Sequence, residues 1–288
     1  MNRGVLMWQR SYDGKPCLYL IPTPIGNLDD ITFRSVKILK HVEVIFSEDT
    51  RVARKLLNHL DISKRLVSLH DHNENLVKEK VLQYLSDGYD VGIISDRGTP
   101  VISDPGFKTV KYVVGNGYNV VALPGANAFV PALIVSGIEP NPFMFYGFLD
   151  SKISKRKKEL QSLSKVECTM IFYEAPHRIR ETVELMLEIF GDREISLSRE
   201  ISKKYESVYR GNISDLNRNL DNVKGEFVII VSGSKNDISN KSDKEIVMMV
   251  DFYINYGLSK KDSIKLVSNI ENISKNDVYN LYHKEERE

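Results

Sequence analysis

Short apolar runs recur along the chain, each bounded by turn-forming residues, and between them lie stretches whose apolar positions repeat at helical spacing. Leu18 to Ile21 predicts a first strand that stops in the proline-rich turn Pro22 to Asn27. Ile31, Val36, Ile38 and Leu39 predict a helix, Val42 to Phe46 a strand, and Arg51 to Leu60 a helix with Leu56, Leu57 and Leu60 on one face. Glu74 to Leu85 predicts another helix, with Val77, Val81, Leu82 and Leu85 turned to the core. Asp90 to Ser95 predicts a buried strand, Gly106 to Asn116 a helix, and Tyr118 to Leu123 a strand stopped by Pro124 and Gly125. Strands alternating with helices imply a largely parallel sheet covered on both faces, and hence an α/β class.

Beyond an apolar helix over Ala126 to Ser136, strands are expected at Phe143 to Phe148, Cys168 to Tyr173, Ile195 to Arg199 and Phe227 to Val231. A helix from Pro176 to Phe190 carries Ile179, Val183, Met186, Leu187 and Phe190 on one face. Polar residues over Ser232 to Ser242 read as a linker. In the tail, Ile246, Val247, Val250, Tyr253 and Ile254 form a helical stripe; Ser259 with Asp262, and Ser274 with Asp277, resemble capping boxes that open two more short helices. The expected organisation is an N-terminal extension over 1–17, an α/β domain over 18–125, a second over 126–232, and a helical module over 243–288. That module has the size of a helix-turn-helix unit, but a helical cap is an equal reading because the tail carries no positive excess.

The chain has 288 residues, long enough for two domains without disulfide staples. Its 40 Lys and Arg against 39 Asp and Glu leave a formal charge of +1, which argues against a protein that coats nucleic acid with its whole surface and leaves room for a local basic patch. An apolar content of 42% with 27% charged residues is ordinary for a soluble globular chain. No apolar run approaches the roughly 18 residues a membrane span needs, and the first 16 residues hold no apolar block of a secretory leader. Cys17 and Cys168 are far apart, outside any CxxC or Cys/His cluster, so a reduced, cytoplasmic compartment without a structural zinc site is expected.

Two loops that follow strands are the first candidates for chemistry: Pro22 to Leu28 and Ser95 to Gly106. Open α/β sheets place ligands at such strand ends, where prolines stiffen a loop and glycines allow close backbone approach. Neither loop has the spacing of a GxxxxGK[ST] or GxGxxG phosphate loop. Glu48 to Arg51 opens a helix, so its carboxylates either cap that helix or face the same cleft. Tyr173 to Arg178 and Arg199 to Glu206 are further strand-end segments with mixed charge, and His177 among them is either structural or catalytic. The run Lys152 to Lys158 holds five positive charges in seven residues, either a solvated helix start or a phosphate contact.

Taken in order, seven segments resemble one family: Leu18 to Leu28; Glu48 to Arg51; Ser95 to Gly106; Leu123 to Gly125; Phe172 to Arg178; Arg199, Glu200, Lys203 and Lys204; and Lys224 to Phe227. The chain is similar over these segments to the ribosomal RNA small subunit methyltransferase I family, within the tetrapyrrole methylase superfamily. The tail from Val278 to His283 is similar to that of its low-GC Gram-positive members. Arg97 stands where the family usually has alanine and Val101 where it often has glycine.

The resemblance implies two α/β domains of tetrapyrrole-methylase type with a small C-terminal helical module, working as a homodimer. It implies S-adenosyl-L-methionine as cofactor, the 16S ribosomal RNA of the small ribosomal subunit as partner, and the ribose 2′-hydroxyl of a cytidine in the decoding region as acceptor. Carried over residue by residue, the cofactor cleft takes Pro24, Ser95, Asp96, Gly98, Thr99, Ile102, Ser103, Ala126, Asn127, Tyr173 and Gly225. Methyl transfer to an alcohol needs positioning and loss of the hydroxyl proton, for which Glu48, Asp49, His177, Glu200 and Lys203 are the candidate bases. No metal-ligand cluster is visible, so metal-independent transfer is expected. Two rival readings are a porphyrinoid-precursor methylase of the same superfamily and a non-catalytic ribosome-assembly factor.

Overall fold

A computed structural model describes residues 8–11, 13–220, 224–235, 242–271 and 273–285. Strands β1 (Cys17–Ile21), β2 (Val44–Ser47), β3 (Arg65–Ser68), β4 (Val91–Ile94) and β5 (Asn119–Ala122) form a sheet in the order β3-β2-β4-β1-β5, with every pairing parallel. They alternate with α1 (Phe33–His41), α2 (Thr50–His59), α3 (Glu74–Ser86) and α4 (Phe107–Gly115). Successive strand residues face opposite sides. Tyr19, Ile21 and Ile45 therefore pack with Leu39 of α1 and Leu57 of α2, while Leu18, Val44, Phe46 and Ile93 pack with Val77 and Val81 of α3 and Val113 of α4. Burial on both faces is why these strands read as unbroken apolar runs. Strand β3 was not anticipated from the pattern; it is a half-exposed edge strand with only Leu66 and Val67 apolar. At the opposite edge, the Gln9 side chain donates to Val120 O at 2.8 Å and accepts from Val120 N at 3.1 Å, occupying part of the open edge of β5. The expected extension over 1–17 lies partly outside the described residues.

β1 and β4 are hydrogen-bonded neighbours. The helix after β1 covers one face of the sheet and the helix after β4 the other, so the two loops diverge and leave a crevice at the carboxyl ends of these strands.

The second sheet holds β6 (Phe143–Phe148), β7 (Thr169–Glu174), β8 (Glu194–Arg199), β9 (Ser207–Asn212) and β10 (Phe227–Val231), in the order β6-β7-β10-β8-β9. Only β6 and β7 are parallel; the other pairings are antiparallel. Its helices are α5 (Phe129–Val135), α6 (Ile153–Leu163), α7 (Ile179–Phe190) and α8 (Ile213–Asn219). Ala132 and Leu133 of α5 pack on Ile171, Val228 and Ile230 of the sheet. β9 and α8 had no sequence signal strong enough to predict them, since β9 is an edge strand with polar residues at most positions. Helix α7 starts at Ile179 rather than Pro176, because Ala175 to Arg178 close a separate turn through Arg178 N on Ala175 O at 3.0 Å.

Packing divides the chain into two compact units, Met1–Ser164 with Cys168–Ser232, and Lys165–Glu167 with Gly233–Glu288. Within the second, α9 (Asp243–Asn255), α10 (Lys260–Glu271) and α11 (Lys275–Glu285) close a core of Ile246, Val247, Val250, Ile264, Val267, Ile273, Val278 and Tyr282. Ser242 makes a full capping box with Glu245. At Ser259 and Ser274 the hydroxyl accepts the backbone N–H three residues on, at 3.1 Å in both, while the shorter Asp side chain takes the serine hydroxyl proton instead of reaching the cap backbone. The linker expected over Ser232 to Ser242 falls partly outside the described residues. Among the described residues no helix is long and apolar enough to cross a membrane.

The basic run Lys152 to Lys158 is not uniformly solvated. Arg156 is 1% exposed and is held by Glu181 Oε2 at 3.0 Å, Thr182 Oγ1 at 2.9 Å and the carbonyls of Asp150 and Ser151 at 3.2 and 3.1 Å. Lys157 pairs with Glu188 at 2.5 Å, whereas Lys152 and Lys158 are exposed. One of the five cations thus joins α6 to α7 and is withheld from any phosphate. Arg156→Leu, read by urea denaturation, is expected to lose about 3 kcal/mol of stability, because Thr182 and two carbonyls lose a charged donor. Lys152→Ala and Lys158→Ala should stay within about 0.5 kcal/mol of the parent. A neutral Arg156→Leu would contradict this assignment.

Candidate active site

The crevice is built by two loops that pair with each other. After β1, Thr23 N donates to Gly98 O at 2.9 Å, and after β4, Gly98 N returns a bond to Thr23 O at 3.0 Å. Thr23 Oγ1 donates to Ser95 O at 3.1 Å and Ser95 Oγ to Gly98 O at 2.8 Å, so the buried polar groups of both loops satisfy one another. Thr99 Oγ1 reaches Ala126 O at 3.0 Å and ties the second loop to the segment that leads into α5. Gly98 sits at φ +82°, and a Cβ there would press on Ile25 Cγ2 at 3.3 Å, which makes glycine the fitting residue at this turn. Val101 at φ +74° and Ser103 at φ +62° are held in the same left-handed region without being glycine.

Above these loops lies a cavity of about 710 Å³, walled by residues of both sheets' halves. Ile25, Asp96, Arg97, Gly98, Thr99, Ile102, Ser103 and Asp104 line it from the first half. Asn127, Ala128, Phe148, Tyr173, His177, Ile201, Glu226 and Val228 line it from the second. Of the positions expected in a cofactor cleft, Asp96, Gly98, Thr99, Ile102, Ser103, Asn127 and Tyr173 are wall residues. Pro24, Ser95, Ala126 and Gly225 are not. Pro24 and Ser95 are buried beneath the loops, Ala126 offers its carbonyl to Thr99, and Gly225 packs on Glu200, whose Cγ would lie 2.6 Å from a Cβ there.

Of the five candidate bases only His177 lines the cavity. Its turn is anchored by buried Glu174, which accepts from Ala175 N at 2.8 Å and Thr182 Oγ1 at 2.5 Å and is ion-paired with Arg178, whose Nε lies 3.0 Å away. Asp49 caps α2, accepting Arg51 N at 2.8 Å, and its ion pair with the Arg51 side chain holds its carboxyl at about 2. Glu48 is pushed up by burial and by the neighbouring charge of Asp96 and Asp71. Glu200 is pulled down by the Lys203 ammonium at 2.8 Å and by Glu226 N. Burial disfavours the Lys203 cation, but its bonds to Glu200 and to Glu226 at 2.9 Å outweigh that and raise its pKa.

Two wall residues carry the largest perturbations. Burial, with the charges of Glu48, Asp96 and Asp71 added, pushes Asp104 up to about 7. Burial likewise raises the Tyr173 phenol to about 12, so it stays protonated at neutral pH. Among the described residues no group of three or more His, Cys, Asp and Glu side chains is disposed to hold a metal ion.

The model of the Tetrapyrrole (Corrin/Porphyrin) Methylases matches residues 17–217. A relative from Bacillus subtilis (strain 168), named Ribosomal RNA small subunit methyltransferase I, is 45% identical over 97% of this chain and 99% of its own length. This chain belongs to the ribosomal RNA small subunit methyltransferase I family. Relatives of the same name from Halalkalibacterium halodurans and Vibrio cholerae are 40% and 39% identical, covering 96% and 93% of this chain and 99% and 94% of their own lengths. Solved structures share the fold. A uroporphyrin-III-C-methyltransferase from Thermus thermophilus has TM-score 0.55 at 17% identity, over 76% of this chain and 94% of that one. A diphthine synthase has TM-score 0.58 at 14% identity, over 75% and 90%.

In this member of the ribosomal RNA small subunit methyltransferase I family, sequence reasoning passed over Asp104, Phe148 and Glu226 as wall residues. Asp104 sits inside a loop already singled out, so only its direction was hidden. Phe148 closes β6 at its carboxyl end, where the strand-end rule applied to the first half would have found it.

Val101→Gly should raise the urea midpoint by the equivalent of about 1 kcal/mol, the left-handed strain relieved less the entropy and packing that glycine forfeits. A lowered midpoint would show that the valine is not strained. Asp104 binds a proton in the folded state up to pH of about 7, whereas the unfolded carboxyl releases it near the ordinary aspartate value of 3.8. Between these values the native state holds more protons, so the wild type loses stability as pH rises through this window. Asp104→Asn should therefore gain stability relative to wild type from pH 4 to 8, and a difference independent of pH would refute the raised pKa.

Proposed function

We propose that the protein is an S-adenosyl-L-methionine-dependent methyltransferase that modifies the 16S ribosomal RNA of the small subunit, at the ribose 2′-hydroxyl of a cytidine in the decoding region. The observation that carries the reading is an acid-bearing cavity at the switch point of a parallel sheet, in a chain whose near-full-length relatives bear that enzyme's name. The cavity fits the cofactor. Its volume suits a nucleoside-sized ligand, Ile25, Ala128, Phe148, Ile201 and Val228 offer an apolar wall to a purine, and the unsubstituted Gly98 gives close backbone approach. Asp96 lines it with a carboxylate suited to the ligand's ammonium and sulfonium charges, and Asp104, whose proton is held up to about pH 7, would be drawn toward its ionised form by such a cation. Bound there, the cofactor supplies an electrophilic methyl group for in-line attack by an alcohol oxygen.

The chain's own residues have three tasks. The paired loops fix the cavity floor, so that orientation is set before substrate arrives. Tyr173, protonated at neutral pH, serves as a hydrogen-bond donor rather than a base. His177, on a turn braced by Glu174 and Arg178, takes the hydroxyl proton; Glu200 and Lys203 form an ion pair beside the cavity and support its wall. On this reading the two α/β halves over 18–125 and 126–232 share the cofactor, and the enzyme works in the cytoplasm as a homodimer.

The test is incubation with methyl-labelled cofactor and unmodified small subunits, followed by nuclease digestion. Label in a 2′-O-methylated cytidine is expected, and His177→Gln should cut kcat by about a hundredfold with unchanged cofactor affinity. Label on a base would redirect the acceptor assignment, and transfer to a porphyrinoid acid but not to subunits would overturn the reading.

A further inference from the structure

Arg97 reaches out of the first half's loop and bonds through Nη1 to Glu226 Oε1, at the start of β10 in the second half. Both side chains line the cavity and both are more than half exposed, 56% and 60%, which puts this pair at the mouth rather than the floor. Glu226 does not depend on Arg97. Its other oxygen holds Lys203 Nζ at 2.9 Å, Lys203 also holds Glu200 at 2.8 Å, and the Glu226 backbone exchanges 3.0 Å bonds with Glu200 in both directions. If Arg97 swings away, every carboxylate of the group still has a cation. Arg97 is thus the exchangeable member of the set, and breaking an ion pair this exposed costs little.

We propose that Arg97 is a substrate-binding residue, which leaves Glu226 and takes a backbone phosphate of the ribosomal RNA beside the nucleotide being methylated. A planar guanidinium can grip two phosphate oxygens at once, a geometry that a carboxylate partner already demands of it. The charge bookkeeping favours this exchange: the overall charge is only +1, so phosphate affinity has to come from a few placed cations, and Arg156 of the basic run is buried. The cofactor's own carboxylate is the competing occupant. Exposure at the mouth favours the polymer, which approaches from outside.

The inference rests on the proposed function, and the two can fail separately. Binding of the intact protein to unmodified small subunits is measured against salt concentration, with cofactor affinity measured in parallel by calorimetry. Arg97→Ala should weaken subunit binding about tenfold and flatten the slope of log affinity against log salt by about 0.7 to 0.9, the value of one phosphate contact. Cofactor affinity should be unchanged, and Arg97→Lys should restore the slope. An unchanged salt slope, or a loss confined to cofactor affinity, would overturn the phosphate assignment. Wild-type protein that binds subunits with an Arg97-dependent slope but transfers no methyl group to them would refute the enzymatic reading and leave the phosphate contact standing.

Discussion

The reciprocal backbone pairing of Thr23 with Gly98 is the constraint on which the site depends. β1 and β4 are neighbours in the sheet whose following helices leave to opposite faces, so their loops would otherwise splay. Two hydrogen bonds, backed by the Thr23 and Ser95 hydroxyls, bring the loops together instead and convert the crevice into a floor. Because the floor is backbone, its shape is specified by which residues tolerate the required dihedrals. Gly98 does so freely, while Val101 and Ser103 do so under strain.

Charge is then distributed unevenly over this frame. Glu48, Asp71, Asp96 and Asp104 crowd one side, so that Asp104 is driven toward neutrality. At the mouth, Arg97, Lys203, Glu200 and Glu226 compensate each other. A cavity with under-compensated acid inside and one exchangeable cation, Arg97, at its rim suits a cationic small molecule within and a polyanion outside. The chain's near-zero total is taken over all 288 residues and describes neither the acidic interior nor the compensated rim.

The ionic groups that are fully buried do other work. Arg156 ties α6 to α7, and Glu174 ties the end of β7 to the Arg178 turn and to α7. Through Glu174 this packing reaches the cavity, since the turn it braces carries His177. Stability of the second half and placement of a candidate base are therefore one problem, solved by the same hydrogen bonds.

Sequence alone determined the α/β class, the strands buried on both faces, the two loops that form the site and the family, because each of these is written in local pattern: doubly apolar runs, proline and glycine turns, and motifs in register. Edge elements such as β3 and β9 escaped it, since a half-exposed strand needs little apolar signature. The antiparallel character of the second sheet and the directions of side chains within charged segments were decided only by tertiary structure. Asp49 and Glu48 share a motif, yet one is a helix cap at about 2 and the other is raised by burial and neighbouring acids. Arg156 and Lys158 share a basic run, yet one is buried and the other faces water. Residue type sets what a side chain can do, but its pKa and its partners depend on charges and apolar surface brought from distant parts of the chain.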